Sequence, residues 1–586
     1  MKKKIIIFDN LTTLNIFICL VFKLLSFEVY YVAIKIKLRK KIIIKKLELF
    51  GIKWFNYQKF DNDEVFSNKL KITTLFCDKF TNLVSKNIWS KQLDKVFLDK
   101  NYLSACLDHK IKDKSNDIIE LFEIAKTLKK NNKIYVWCNN SHLSKEINKK
   151  FYRIKNLNFF LYVGLISILL TLLKKFISYL LILVKKIIFN LYQRMAVSFF
   201  FKNKVIVTVA KNNFKSLYKS SRIVFFPHKG MYTQNSVKDY FYSRNKKSLF
   251  YKNKILHIEW NKDDLVSQVA NGEYNTIKYY HKNKIPFFFW NEFNFKKEAI
   301  VELIKFVFKT KFLILTLIKN DILYHFYISA THIIHAKKKL ERLNNIKFVL
   351  VGYDNLFPPE LSVACKLLKI KTIALQDRII VPSWSHKMIF DYYITLGKKS
   401  FDIINSRMKN SIKNILCVNH IKIIKYKSNL KKKNSLINNK KYKCLVIDMH
   451  SQPIKEWYVN GRSINNWRAN KEFYEDIIYL ANKFKNIEFL IKSKNYLWVE
   501  NPKFSKIFKK MKKIDNIKIL KNQKIWTPVL SLSVADFAIA RCSSLMDECL
   551  NLNKPIILCD LKGYPQKFFD YGDNLVSYNL TQVENK

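Results

Sequence analysis

Short apolar runs alternate along this chain with longer stretches whose apolar positions recur every three or four residues. That alternation predicts buried parallel strands joined by amphipathic helices. In the first part, strand-type runs lie at Lys4–Phe8, Phe27–Ile34, Trp54–Tyr57 and Ile134–Cys138, with helical patterns at Thr12–Leu25 and Ile118–Lys129. Asp9-Asn10 closes the first apolar run at once, so it reads as a strand and not as a signal peptide. A second series follows: strands at Val205–Val209, Ile223–Phe226, a short one from Ile255, Phe348–Gly352 and Thr372–Leu375, with a helix at Leu361–Leu368. The Lys- and Asn-rich passage Lys409–Lys441, interrupted by apolar Ile415–Val418, reads as a linker. Strands at Cys444–Ile447, Phe489–Ile491, Ile517–Leu520, Phe537–Ala540 and Pro555–Leu558 then make a third series.

The fold class expected is α/β, with two Rossmann-like domains facing a cleft and an N-terminal α/β extension. The divisions fall at 1–157 for the extension, 203–430 for the first Rossmann-like domain and 442–586 for the second. Between them, 158–202 is the most apolar part of the chain. Phe159–Leu173 is uncharged, then come Lys174-Lys175, a further uncharged run and Lys185-Lys186. Neither run reaches the ~20 apolar residues of a membrane span, while the lysine pairs sit close to three helical turns apart on one face. This predicts a membrane-associated amphipathic helix lying in the interface of an anionic membrane. A hydrophobic helix buried between domains fits the same pattern.

The stretch with most chemistry is Ala535–Asp560, a strand, a turn at Arg541-Cys542-Ser543-Ser544, a helix and a second strand. Hydroxyls where a helix begins meet its free N–H groups and positive dipole end, a setting for a phosphate. Glu548 lies one turn past Ser544, on the same side, where a carboxylate can accept hydrogen bonds from a ribose or a base. A plain helix cap at Ser543 and a solvated Glu548 fit equally. His228, in the loop after Ile223–Phe226, is the candidate general base in the middle of the chain, and His450 after Cys444–Ile447 is a second. His257 and Glu259 share a strand face, so the acid is placed to orient the histidine. Asp354, Glu360, Gln376 and Arg378 follow predicted strands and are cleft candidates; solvated loop ends are the other reading.

The Ser543, Ser544, Glu548, Lys554 and Pro555 pattern resembles the C-terminal half of GT-B glycosyltransferases of bacterial surface polysaccharide biosynthesis, and the related CDP-glycerol glycerophosphotransferases. The resemblance implies that these residues bind the donor nucleotide. It also implies a donor-phosphate role for Lys492, in a Lys-Ser-Lys segment similar to the family's "Lys-x-His". The chain departs from the pattern at Arg541-Cys542, at Asn553 in place of Gly, at Lys494 in place of His, and at Asp377-Arg378 after Gln376 in place of His-Gly.

Composition narrows the reading. With 106 basic and 45 acidic residues the net charge is +61. Only 11 of the basic residues are Arg, and they do not cluster with aromatics on a recognisable module. This argues against a nucleic-acid partner, which favours Arg forks. The ten cysteines form no C-x-x-C pair, and several, such as Cys444 and Cys559, sit in strand patterns as reduced core residues. No metal site and no cofactor are expected, and no Asp-x-Asp metal motif stands in a fitting context. The expected function is transfer of a sugar from a nucleotide-sugar donor to a surface glycan or lipid-linked glycan acceptor, on the cytoplasmic face of the membrane. CDP-alditol phosphotransfer and a non-catalytic membrane-associated scaffold of polysaccharide assembly are the alternatives.

Overall fold

In the computed structural model, the described residues are 3–11, 13–34, 46–54, 91–129, 132–138, 144, 146–156, 222–227, 245–259, 280, 283–290, 321–343, 345–352, 354, 357–376, 387–418, 441–447, 467–493, 497–500, 502–520, 528–540, 543, 545–559, 576–577 and 580–585, with 72, 75, 76, 301, 302 and 305. The expected strand Val205–Val209 and the apolar segment 158–202 lie outside them. Among the described residues no helix is long and apolar enough to cross a membrane.

Among the described residues there are three sheets, and every strand pair in them is parallel. Sheet one comprises β1 (Lys4–Leu11), β2 (Glu28–Ile34), β3 (Ile52–Trp54), β4 (Lys133–Trp137) and β5 (Lys155–Asn156), in the order β3-β2-β1-β4-β5. Sheet two comprises β6 (Ile223–Phe226), β7 (Ile255–Glu259), β8 (Phe287–Phe289), β9 (Phe348–Val351), β10 (Lys371–Leu375), β11 (Phe390–Thr395) and β12 (Ile412–Cys417), in the order β8-β7-β6-β9-β10-β11-β12. Sheet three comprises β13 (Tyr442–Ile447), β14 (Ile487–Lys492), β15 (Ile517–Ile519), β16 (Phe537–Ala540), β17 (Ile556–Cys559) and β18 (Val576–Ser577), in the order β15-β14-β13-β16-β17-β18.

Each sheet therefore starts in the middle, grows to one side for three strands, returns, and grows to the other. This is the doubly wound order, and it leaves a crevice at the carboxyl ends of the two strands where the direction reverses. Those pairs are β1/β4, β6/β9 and β13/β16. The N-terminal region is thus a doubly wound sheet in its own right. The expected linker is shorter at its start than its composition suggests, because Ile412–Cys417 pairs with β11 as the edge strand β12. Edge strands face water on one side, so Lys413 and Asn414 are tolerated there.

The helices are α1 (Thr13–Leu24), α2 (Lys91–Phe97), α3 (Lys100–Leu128), α4 (Asp321–Glu341), α5 (Pro359–Leu367), α6 (Lys398–Met408), α7 (Trp467–Lys483), α8 (Ser505–Lys512), α9 (Pro528–Val534), α10 (Leu545–Asn551) and α11 (Leu580–Asn585). Sheet three has an apolar layer on each face. Leu445, Ile447, Ala538 and Ala540 pack with Leu532, Leu545 and Met546 of α9 and α10. Cys444, Val446, Phe489 and Ile491 pack with Phe473, Tyr474, Ile507 and Val583 of α7, α8 and α11. This two-sided burial is what makes these strands continuous apolar runs.

Sheets one and two share a core. Ala105, Cys106, Ile118, Ile119 and Phe122 of α3 pack both on Ile5, Ile7 and Val136 of sheet one and on Ala330, Ile333 and Val363 of α4 and α5. Polar bonds mark the same contact: Lys387 N donates to Asp108 Oδ2 (2.9 Å), Lys387 Nζ to Ser104 Oγ (2.9 Å), and Lys110 pairs with Glu360 (3.3 Å). Of the described cysteines, all free, only Cys417 is exposed.

The His257–Glu259 arrangement differs from the expectation. His257 is fully buried, with Nδ1 donating to the carbonyls of Ile255 (3.0 Å) and Pro286 (3.3 Å), while Glu259 accepts from Tyr280 Oη (2.7 Å). Burial pushes the imidazole down to about 3, so it stays neutral and works as a core residue between β7 and β8. Because the unfolded chain takes up this proton near 6.5 and the folded chain near 3, stability is whole above pH 6.5 and falls as the pH drops through that window. His257→Asn is expected to remove about 1.5–2 kcal/mol of the loss between about pH 6.5 and pH 5, read from chemical denaturation at both values.

Candidate functional site

The reversal point of sheet three is the candidate site, because two of the sequence-predicted donor residues, Lys492 and Ser543, follow the strands that flank β13 at its carboxyl edge. Lys492 ends β14 and lies level with Ile447, which lies level with Ala540 at the end of β16. Two strand spacings place the Lys492 and Ala540 backbones ~10 Å apart across β13. Side chains level with each other in a parallel sheet share a face, so Lys492 belongs to the face that Leu490, Ile447 and Ala540 present to α9 and α10. Ser543 stands three residues beyond Ala540, at the entry to α10.

Lys492 is buried, and its ammonium donates to Ser493 O at 3.0 Å. Desolvation holds its pKa below the ordinary lysine value, since water no longer supports the charge. The neighbouring backbone is held firmly. Ser493 is fully buried, and its Oγ accepts from Trp498 Nε1 (3.0 Å) and lies 3.3 Å from Tyr474 Oη. Tyr474 and Trp498 stack with ring centroids 4.5 Å apart. The "Lys-x-His" resemblance did not indicate that anchor; the signal was Trp498 itself, a large ring six residues past a strand end.

Ser543 combines a capping role with spare hydrogen-bonding capacity. Its Oγ accepts from Leu545 N at 3.3 Å and its carbonyl from Met546 N at 3.1 Å, so both of those amides are already engaged. A hydroxyl that accepts still has its own O–H to donate. Glu548 is half-buried on α10. Lys554 is used elsewhere: its ammonium donates to Ala535 O at the end of α9, and burial lowers its pKa. Asn553 takes φ +56°, the left-handed conformation that ends α10. Asn is the side chain after Gly that best tolerates it, which accounts for Asn where the resembled pattern has Gly.

At the carboxyl edge of sheet two, Asp354 is buried beside the reversal point β6/β9 and accepts a hydrogen bond from Tyr393 Oη of β11. Gln376 follows β10 and ties the next loop, donating to Ser400 Oγ (2.9 Å) and accepting from Leu396 N (2.8 Å). Glu360 is placed apart from both. It is buried in the first turn of α5, accepting from Ser329 Oγ (3.0 Å) and from Lys110 of α3, within the joint between sheets one and two. His332 of α4 senses the same Lys110 and Glu360 charges; burial, then Lys110, lower its pKa, while Glu360 raises it. Neither His332 nor Lys110 was singled out from sequence. An aromatic wall also stands at this edge, with Phe226 meeting Trp290 (5.6 Å) and Phe357 (5.4 Å). His228, Arg378, His450 and Ser544 lie outside the described residues. Among the described residues no group of three or more His, Cys, Asp or Glu side chains is placed to hold a metal ion.

No protein-family model and no curated protein matches the sequence. Among solved structures, the UDP-GlcNAc 2-epimerase of Neisseria meningitidis bound to UDP-GlcNAc is similar at 13% identity and TM-score 0.33, over 57% of this chain and 81% of that one. Alr3699/HepE of Anabaena in complex with UDP and glucose is similar at 8% identity and TM-score 0.31, over 62% and 88%. MurG of Acinetobacter baumannii is similar at 10% identity and TM-score 0.31, over 62% and 89%. These likenesses are coarse, and the doubly wound architecture stands on the sheet order itself.

The left-handed turn after α10 has a checkable cost. Asn553→Gly is expected to keep the melting temperature or raise it slightly. Asn553→Val is expected to destabilise by about 1–2 kcal/mol, because its branched Cβ clashes in that conformation.

Proposed function

We propose that this chain is a nucleotide-sugar-dependent glycosyltransferase whose donor site is the β13/β16 reversal point of sheet three. The observation that carries the reading is the convergence there of a buried ammonium, Lys492, and a helix-entry hydroxyl, Ser543, on the two sides of one strand. A desolvated ammonium gains from an anion that replaces lost water, and a hydroxyl with a spare O–H donates to the same anion. A nucleoside diphosphate leaving group fits both.

In the proposed step, the acceptor hydroxyl oxygen attacks the anomeric carbon of the donor sugar. The bond from that carbon to the phosphate oxygen breaks, and the nucleotide leaves with its bonding electron pair. The negative charge that develops on the phosphate is met by Lys492 and the Ser543 O–H. Glu548, one turn into α10, accepts from a ribose hydroxyl or the base. His228, two residues past β6, takes the acceptor proton, with His450 as the second candidate. Two of the departures are compatible with this arrangement: Asn553 takes up the left-handed turn, and Lys492 supplies a cation without the histidine partner.

The acceptor in this reading is a growing surface glycan or a lipid-linked glycan. The apolar, lysine-paired segment 158–202 is proposed to hold the chain at the inner face of the membrane where such acceptors lie.

The test is binding of UDP, GDP, CDP and CMP by calorimetry. One nucleotide is expected to bind selectively, weakened ~10–100-fold by Lys492→Met and several-fold by Ser543→Ala, in line with the loss of a charge-assisted and a neutral hydrogen bond. Selective CDP binding would move the reaction to alditol-phosphate transfer, and no binding by folded protein would favour the scaffold. The pH response adds a second readout. Affinity is expected to fall as pH rises through the lowered Lys492 pKa, because the ammonium is the binding form, and that slope should vanish in Lys492→Met.

A further inference from the structure

Helix α8 of sheet three carries a ridge of lysine on its outer side. Ile507 and Met511 are buried, Phe508 is half-buried, and all three join the core that Val446, Phe489 and Ile491 form on one face of the sheet. Lys506, Lys509, Lys510, Lys512 and the capping Lys513 are exposed. At ~100° per residue they fall within an arc of ~160° on the side away from that core. The stem of Lys512 follows the helix surface, with its ammonium 4.7 Å from the centre of the Phe508 ring. Across 502–520 there are seven lysines and one acid, Asp515, which lies in the turn beyond the helix.

This arrangement works against the isolated helix. Lys506 and Lys510 are like charges one turn apart, as are Lys509 and Lys513, and such pairs repel. Lysines in the last turn suit the helix dipole, but Lys506 stands in the first turn, at its positive end. Lysines on other helices have counter-charges. Lys338 of α4 pairs with Glu302 (2.8 Å) and Glu341 (3.0 Å), and on α7 Lys471 pairs with Glu475 (3.7 Å) and Lys483 with Glu584 (2.9 Å). None of the five on α8 has an acid in ion-pair reach among the described residues. Among α1–α11, only α8 combines several basic residues with no acid.

The residue types select the partner. The ridge has no Arg fork for bidentate phosphate contact and no exposed ring on which a base could stack, so it does not suit a nucleic acid. A second copy of the chain, itself at +61, would bring like charge against like. A bilayer with anionic headgroups offers dense negative charge without a fixed geometry, which suits compact charges on flexible stems. A cluster of about four to eight lysines on an amphipathic helix is enough to hold such a surface.

We infer that α8 docks sheet three on an anionic lipid bilayer, with Lys506, Lys509, Lys510, Lys512 and Lys513 among the headgroup phosphates. The contact lies on the face of the sheet opposite the one that Lys492 shares with α9 and α10. It is separate from segment 158–202 and does not depend on which reaction the chain performs.

Sedimentation of the full chain with phosphatidylcholine vesicles, with and without phosphatidylglycerol, tests it on three proteins. The first is wild type. The second carries Lys506→Gln, Lys509→Gln, Lys510→Gln, Lys512→Gln and Lys513→Gln. The third loses the same five charges at exposed positions elsewhere, through Lys53→Gln, Lys100→Gln, Lys347→Gln, Lys371→Gln and Lys413→Gln. Wild type is expected to prefer anionic over neutral vesicles at least about tenfold, and to lose that preference as salt is raised. The α8 variant should lose most of the preference and the third protein should keep most of it. Binding to neutral vesicles, where any grip of segment 158–202 is common to all three, should stay the same. The α8 variant should melt at the wild-type temperature or slightly above, because like-charge repulsion is relieved. The proposal is overturned if wild type shows no anionic preference, if the folded α8 variant keeps it, or if the third protein loses it equally. It is also overturned if wild type retards an oligonucleotide in a gel and the α8 variant does not, while both bind anionic vesicles alike.

Discussion

A parallel sheet that begins in its centre must send its chain outward twice, and the two departures leave a gap at the carboxyl ends of the strands that part company. This chain meets that constraint three times, at β1/β4, β6/β9 and β13/β16. Everything proposed about chemistry depends on it. Strand register alone brings Lys492 and Ala540 to one level, and the turn after β16 then delivers Ser543 to the same edge.

The three gaps are not equivalent in what lines them. At sheet two the acid Asp354 is bound by Tyr393 and Gln376 is bound to a loop, so both hold the edge together as placed. At sheet three the ammonium of Lys492 is dehydrated, with a pKa pushed down by burial. A buried ammonium of this kind is costly unless hydrogen-bonded, and Lys492 donates to Ser493 O. Ser543 faces a related competition, since its Oγ caps α10 and its O–H remains to be given. The joint between sheets one and two differs again: its Lys110–Glu360 pair and the apolar α3 surface fuse two units into one packed body.

Strands buried on both faces were legible in the sequence, because nothing polar interrupts Ile223–Phe226, Phe537–Ala540 or Cys444–Ile447. Strand β11 was not, because Asp391 sits inside it. That carboxylate is buried and satisfied by Lys366 (3.1 Å) and by Thr372 N (2.9 Å) and Oγ1 (3.1 Å), partners that no local pattern reveals. Edge strand β12 was hidden for the opposite reason, its polar residues matching a linker. Glu360 looks from sequence like a cleft acid after a strand, yet its cation comes from α3, far away along the chain. The positions of Ser543 and Lys492 at strand ends were readable. That Ser543 already engages the first amides of α10, and that Lys554 is tied to Ala535, depended on three-dimensional placement.

The measurement that bears most directly on this account is a crystal structure of the chain with the nucleotide that binds it. The account predicts the phosphates at the carboxyl edge of sheet three, within hydrogen-bond reach of Lys492 Nζ and Ser543 Oγ, with the ribose toward Glu548. A nucleotide seated instead at the β1/β4 or β6/β9 edge, with Lys492 still bonded to Ser493 O, would contradict it.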